Sequence, residues 1–125
     1  AKLCAAMEIE ACVLDKADLA MGQEPDGIEY DPFTACLLLF HDHEWELPLL
    51  RHTLSQGAFY VGAQGGERAR IDRALALSAC GAREEDIARI VCPVGAIPQC
   101  KTPRALALSA LTEIVGKYER LRDRA

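Results

Sequence analysis

The segment Ala35 to Phe40 is an unbroken apolar run that stops at His41-Asp42-His43-Glu44. Bounded by polar residues, it reads as a strand buried on both faces, the usual state of strands in a parallel sheet. Shorter runs recur along the chain: Ile9 to Leu14 ending at Asp15, a weak Ile28 to Tyr30, Ala58 to Val61, and Ala88 to Cys92. Segments of helical period separate them. Ala1 to Glu8 reads as the tail of a helix. Glu46 to Ser55 carries Leu47, Leu49, Leu50 and Leu54, and Gly57 stops it. Glu67 to Cys80 shows a stripe of Ile71, Leu75 and Leu77 closed by Gly81, and a short acidic helix follows over Arg83 to Ile87. The last helix has Thr102 as N-cap and Pro103 in its first turn, with Ala107, Leu111, Ile114, Tyr118 and Leu121 on one stripe. Gly22 to Pro32 reads as a loop. Strand-length runs alternating with helices predict an α/β fold around a parallel sheet.

That alternation predicts a three-layer, Rossmann-like sheet with helices on both faces. Such a fold opens with a strand and a Gly-x-Gly-x-x-Gly turn ahead of the strand that ends in an acid. Here the acid is Asp15, and neither the opening strand nor the turn precedes it. The expectation is one domain over residues 1–125, incomplete at its N-terminus. A strand ending at Asp15 without a neighbour would leave an unpaired edge, which favours self-association as a homo-oligomer such as a dimer.

Composition narrows the function classes. With 125 residues, 50% hydrophobic and 26% charged, the chain suits one globular core. A net charge of -5 gives no electrostatic footprint for nucleic acid. No apolar run approaches the ~20 residues that span a bilayer, and no signal-peptide pattern opens the chain. The expectation is a soluble cytoplasmic protein. Cys4, Cys12, Cys36, Cys80, Cys92 and Cys100 lie mostly among apolar neighbours and form no Cys-x-x-Cys pair, so they read as reduced, buried thiols and not as a zinc site.

Ligands in open parallel sheets bind beyond the carboxyl ends of the strands. Asp15 there reads as a turn acid or a ribose ligand. Gly62 to Gly66 lies between a strand and a helix, where glycines admit a close ligand and helix N–H groups favour an anion, with Arg68 placed to clamp a phosphate. The His41-Asp42-His43-Glu44 run suits capping or a small-molecule site and lacks metal-ligand spacing. Cys92 and Cys100 bracket the loop Pro93 to Gln99 and have no neighbouring base in the sequence. No Gly-x-Ser-x-Gly, Walker A or His-Glu-x-x-His motif occurs. Composition and spacing lead to a ligand-binding α/β domain and stop there.

Several stretches go further. Phe59-Tyr60-Val61-Gly62-Ala63-Gln64-Gly65, Ile87-Ala88-Arg89-Ile90-Val91-Cys92-Pro93-Val94-Gly95, Lys101-Thr102-Pro103 and Ala107-Leu108-Ser109-Ala110-Leu111-Thr112-Glu113-Ile114 resemble the XdhC/CoxF family of xanthine dehydrogenase accessory proteins. Leu39-Phe40-His41-Asp42-His43 is similar to that family's Thr-His-Asp-His strand end, with Phe40 in place of Thr. Gly66-Glu67 stands where the family has Ser-Arg, and Gly95-Ala96-Ile97-Pro98-Gln99 where it has Gly-Leu-Asp-Ile-Gly. The resemblance implies the family's C-terminal Rossmann-like domain and a maturation factor or chaperone in place of an enzyme. Such a protein binds molybdenum cofactor (molybdopterin) and serves its sulfuration, with a cysteine desulfurase, or its insertion into a xanthine or carbon monoxide dehydrogenase-type molybdenum hydroxylase. Carried over by position, the cofactor-binding residues it implies are His41, Asp42, Gly62, Gly65, Arg68, Gly95, Lys101 and Thr102, with no catalytic residue and no metal ligand. The alternatives are a nucleotide-dependent oxidoreductase and a degenerate interaction domain without ligand.

Overall fold

The computed structural model describes residues 1–40 and 42–124, with the His43 side chain excepted. Its elements in chain order are α1 (Lys2–Ala6), β1 (Ala35–Leu38), α2 (His43–Ser55), β2 (Tyr60–Ala63), α3 (Glu67–Ala79), α4 (Glu84–Ala88), β3 (Ile90–Val91) and α5 (Pro103–Arg124). The strands form one parallel sheet in the order β1-β2-β3, with Cys36 opposite Val61 and Gly62 between Leu37 and Val91. The parallel α/β arrangement expected from the alternating runs is present. The chain divides into two compact units, one of residues 19–93 and one of residues 1–18 with 94–125.

The first unit contains the sheet. Strand order advances in one direction, so right-handed crossovers place α2 and α3 side by side, and the two helices pack on each other. The core beneath them is Leu38, Leu50, Leu54, Ala58, Val61 and Leu77. Leu50 and Leu77 are fully buried, and each such leucine stabilises the fold by roughly 1.5–3 kcal/mol. Tyr30 packs against this cluster and reaches Thr53 Oγ1 with its hydroxyl at 3.4 Å.

In the second unit α1 packs on α5. Thr102 caps α5 as expected: its Oγ1 accepts from Ala105 N at 3.3 Å and its carbonyl from Leu106 N at 2.9 Å. The fully buried Ser109 of α5 pins the loop before it, accepting from Ile97 N at 2.7 Å while its carbonyl accepts from Ala96 N.

Several expectations are corrected. Ile9 to Leu14 and Ile28 to Tyr30 form no strand, because among the described residues no backbone edge pairs with them. A lone strand leaves its ladder groups to water, so Ile9 to Leu14 stays irregular with Val13 72% exposed. The edge argument for self-association goes with it. β1 ends at Leu38 and not Phe40, and Leu37 and Leu39 are exposed, so the run is not buried on both faces. The α3 stripe is also different. Ile71 and Leu75 are exposed, and the core face carries Arg73 and Leu77. Two residues turn a helix by about 200°, which puts 71 and 75 opposite 73 and 77. All six cysteines are free, but none is buried; Cys12 and Cys80 are exposed and the other four are half-buried. Burial pushes the Cys36 thiol up, opposed by its Thr53 hydrogen bond. Among the described residues no helix is long and apolar enough to cross a membrane.

Leu77→Ala is expected to lower stability by about 2–5 kcal/mol, whereas Val13→Ala changes it by less than about 0.5 kcal/mol. Urea unfolding of both variants checks this contrast.

Candidate functional site

The carboxyl ends of the strands are joined by a polar network with a buried ion pair at its centre. Glu46 lies in the first turn of α2 and Arg73 in the middle of α3, with side chains 3% and 4% exposed. Arg73 Nε donates to Glu46 Oε1, and its Nη2 donates to Glu46 Oε2 at 3.1 Å and to the Gln64 carbonyl at 2.9 Å. Nη1 reaches Cys92 Sγ, just past β3, at 3.4 Å. The Cys92 thiol donates in turn to the Gly65 carbonyl at 3.3 Å. Gln64 closes the group toward β1: its N–H donates to the Leu38 carbonyl at 3.1 Å and its Nε2 to the Phe40 carbonyl at 3.4 Å. Burial alone would pull the Arg73 pKa down. The hydrogen bonds and charge of Glu46, joined by the Cys92 contact, outweigh it and hold that pKa above the ordinary arginine value.

The glycine turn sits on this network. Gly62, expected in the turn, belongs to β2 and is buried there. The turn itself is Gln64-Gly65-Gly66. Gly65 has φ +119, and a Cβ on it would come within 2.5 Å of Ala69 Cβ, so conformation and space both require glycine. Gly66 is the N-cap of α3, and its carbonyl accepts from Arg70 N at 3.0 Å. The N–H groups of Gly65, Gly66 and Glu67 have no acceptor among the described residues, and all three residues are exposed. Successive amides of this kind at a helix start make a concavity suited to an anion.

The other expected site residues fall in different places. His41 lies outside the described residues. Asp42 caps α2, its carboxylate accepting from Glu44 N at 3.1 Å. Arg68 stands in the first turn of α3 with its side chain 93% exposed and its Nε 3.6 Å from Asp72. Asp42, Gly62, Gly65 and Arg68 thus share one unit. Gly95, Lys101 and Thr102 belong to the other. Gly95 has φ +116, a Cβ there would collide with Ser109 Oγ, and its N–H donates to Glu113 Oε1 at 3.2 Å. Lys101 is exposed. Asp15 forms a local turn, accepting from Ala17 N. Among the described residues no three His, Cys, Asp or Glu side chains group as a metal site. An open groove of about 410 Å³ between α3, α4 and β3 is lined by Ile71, Ala74, Leu75, Ile87 and Ile90, with no residue of the glycine turn.

Sequence reasoning missed Glu46, Arg73 and Gln64 as a unit. A signal was present: Glu46 and Arg73 each stand four residues before a fully buried leucine, Leu50 and Leu77, and so share its helix face. Opposite charges on the core faces of neighbouring helices need each other.

Arg73→Met leaves Glu46 buried without its partner and is expected to destabilise the chain by about 3–5 kcal/mol. Removing the exposed Arg68 by Arg68→Ala is expected to change stability by less than about 0.5 kcal/mol, and thermal unfolding of the two variants compares them.

The family model of the XdhC Rossmann domain matches residues 1–114. The chain is 37% identical over 88 residues to the molybdenum cofactor insertion chaperone PaoD of Escherichia coli (strain K12). That alignment covers 70% of this chain and 28% of the relative, so the chain spans less than a third of that protein's length. The chain belongs to the XdhC family through its Rossmann domain.

Proposed function

We propose that this member of the XdhC family is a carrier of molybdenum cofactor that serves the cofactor's insertion into a molybdenum hydroxylase. The observation that supports this reading is the glycine turn after β2. Gly65 admits no side chain, three N–H groups in succession lack an acceptor among the described residues, and Arg68 stands in the adjacent helical turn. These groups suit the phosphate end of molybdopterin, since backbone amides and a guanidinium fork favour a tetrahedral anion. Asp42, the N-cap of α2, would face the pterin end, and the resemblance gives His41 the same role. Gly62 shapes β2 beneath the turn, and Gly95, Lys101 and Thr102 form the later loop of the same reading. The cofactor, when bound, supplies the molybdenum chemistry of the client enzyme; this chain's residues bind and orient it. The similarity to the Escherichia coli molybdenum cofactor insertion chaperone supports the same reading.

The finer parts of the proposal are a client of the xanthine or carbon monoxide dehydrogenase type, a cysteine desulfurase that sulfurates the cofactor, and a cytoplasmic location. Self-association belongs with them, supported by the exposed apolar side chains Met7, Ile9, Val13 and Leu14.

Two measurements test this. In calorimetric titration with molybdopterin, wild type binds, and Arg68→Ala weakens binding by about 1.5–3 kcal/mol with an unchanged thermal midpoint. No binding by wild type ends the proposal. In sedimentation at micromolar concentration the chain is expected to run as a dimer, and a stable monomer overturns self-association.

A further inference from the structure

We infer that Arg73 and Cys92 are positioning residues that aim the amides of the glycine turn while touching no ligand themselves. In a trans peptide the C=O of one residue and the N–H of the next point in opposite directions. Whatever grips a carbonyl therefore sets the direction of the following N–H. Arg73 Nη2 holds the Gln64 carbonyl at 2.9 Å, which turns the Gly65 N–H away from the network. Cys92 Sγ holds the Gly65 carbonyl at 3.3 Å, which turns the Gly66 N–H away in the same manner. The Gly66 carbonyl is taken by Arg70 N within α3, which turns out the Glu67 N–H. Three successive carbonyls are thus engaged, two by the network and one by α3, and the three amides that follow them have no acceptor among the described residues.

The anchors are themselves fixed. Glu46 takes two donors of the Arg73 guanidinium, so the fork keeps one orientation, and Nη1 on its remaining side meets the Cys92 sulfur. A lysine at position 73 has no fork to hold Glu46, Gln64 and Cys92 together. Glycine makes the turn possible, and without these two grips its low conformational barriers would let the amides point in many directions. The ligand consequence rests on the proposed function: the aimed amides would receive the phosphate of the cofactor. The aiming itself does not depend on that reading.

The test uses Cys92→Ala, Cys92→Ser and the paired Glu46→Leu/Arg73→Met variant, which removes both buried charges together. Two readouts are taken: the amide NMR signals of Gly65 and Gly66, and calorimetric affinity for molybdopterin. Cys92→Ala is expected to move the Gly66 amide and weaken molybdopterin binding by about tenfold, the effect of one hydrogen bond, with little change in thermal midpoint. Cys92→Ser, which keeps a donor on the Gly65 carbonyl, restores most of the affinity. The paired variant moves the Gly65 amide and weakens binding similarly; if it does not fold, the two Cys92 variants decide. Unchanged Gly65 and Gly66 amides in the folded variants overturn the positioning roles. Wild type that binds no molybdopterin overturns the proposed function instead, and the amide signals still decide the positioning.

Discussion

The contact on which the rest of this structure depends is the ion pair between Glu46 and Arg73. Two charges that are almost wholly withdrawn from water are an expensive element unless every donor and lone pair finds a partner. Here each guanidinium nitrogen has a partner, and together they serve four acceptors: both carboxylate oxygens, a backbone carbonyl and a sulfur. Such a pair adds little net stability over a well-packed apolar one. It ties the start of α2 to the middle of α3 and to the ends of β2 and β3, so these elements meet in one register.

The apolar core and the polar network divide the work within the sheet unit. Leu50 and Leu77 fill the layer beneath the helices, and one turn earlier on each helix Glu46 and Arg73 meet at the strand ends. The same two helix faces thus run from an oily part to a charged part. The transition falls where β1 and β2 end, which is where open parallel sheets place their ligands. Leu38, the last residue of β1, marks the boundary: its side chain joins the core while its carbonyl accepts from Gln64.

Much of the architecture was legible in the sequence for physical reasons. Strand-length runs at Ala35 and Ala58, the Gly81 stop and the Thr102-Pro103 cap are local signals, and the elements they mark are present with shifted bounds. The N-terminal run at Ile9 was misleading because strand formation is a property of a pair, and periodicity reports one partner only. The α3 stripe misled for a related reason. Ile71 and Leu75 are two of the three large apolar residues of α3, so they dominate the pattern, while the core face carries Leu77 and a charge. At the site, the glycine turn was visible and its support was not. Glu46, Gln64, Arg73 and Cys92 are far apart in the chain, and only the parallel register brings them together. Asp42 and Gly95 show the reverse: each had a ligand role in view, and each also has a local structural task, capping α2 or passing close to Ser109.

The closeness of Gly65 to Ala69 constrains more than one position. The methyl of Ala69 occupies the direction in which a side chain at 65 would grow, so the two sites share one small volume. Enlarging residue 69 would press on the turn from below just as enlarging residue 65 would from above. Substitutions drifting into either site are therefore not independent. A descendant sequence with a bulky residue at 69 would have to reshape the turn or lift the first coil of α3, and either change would redirect the amides above it.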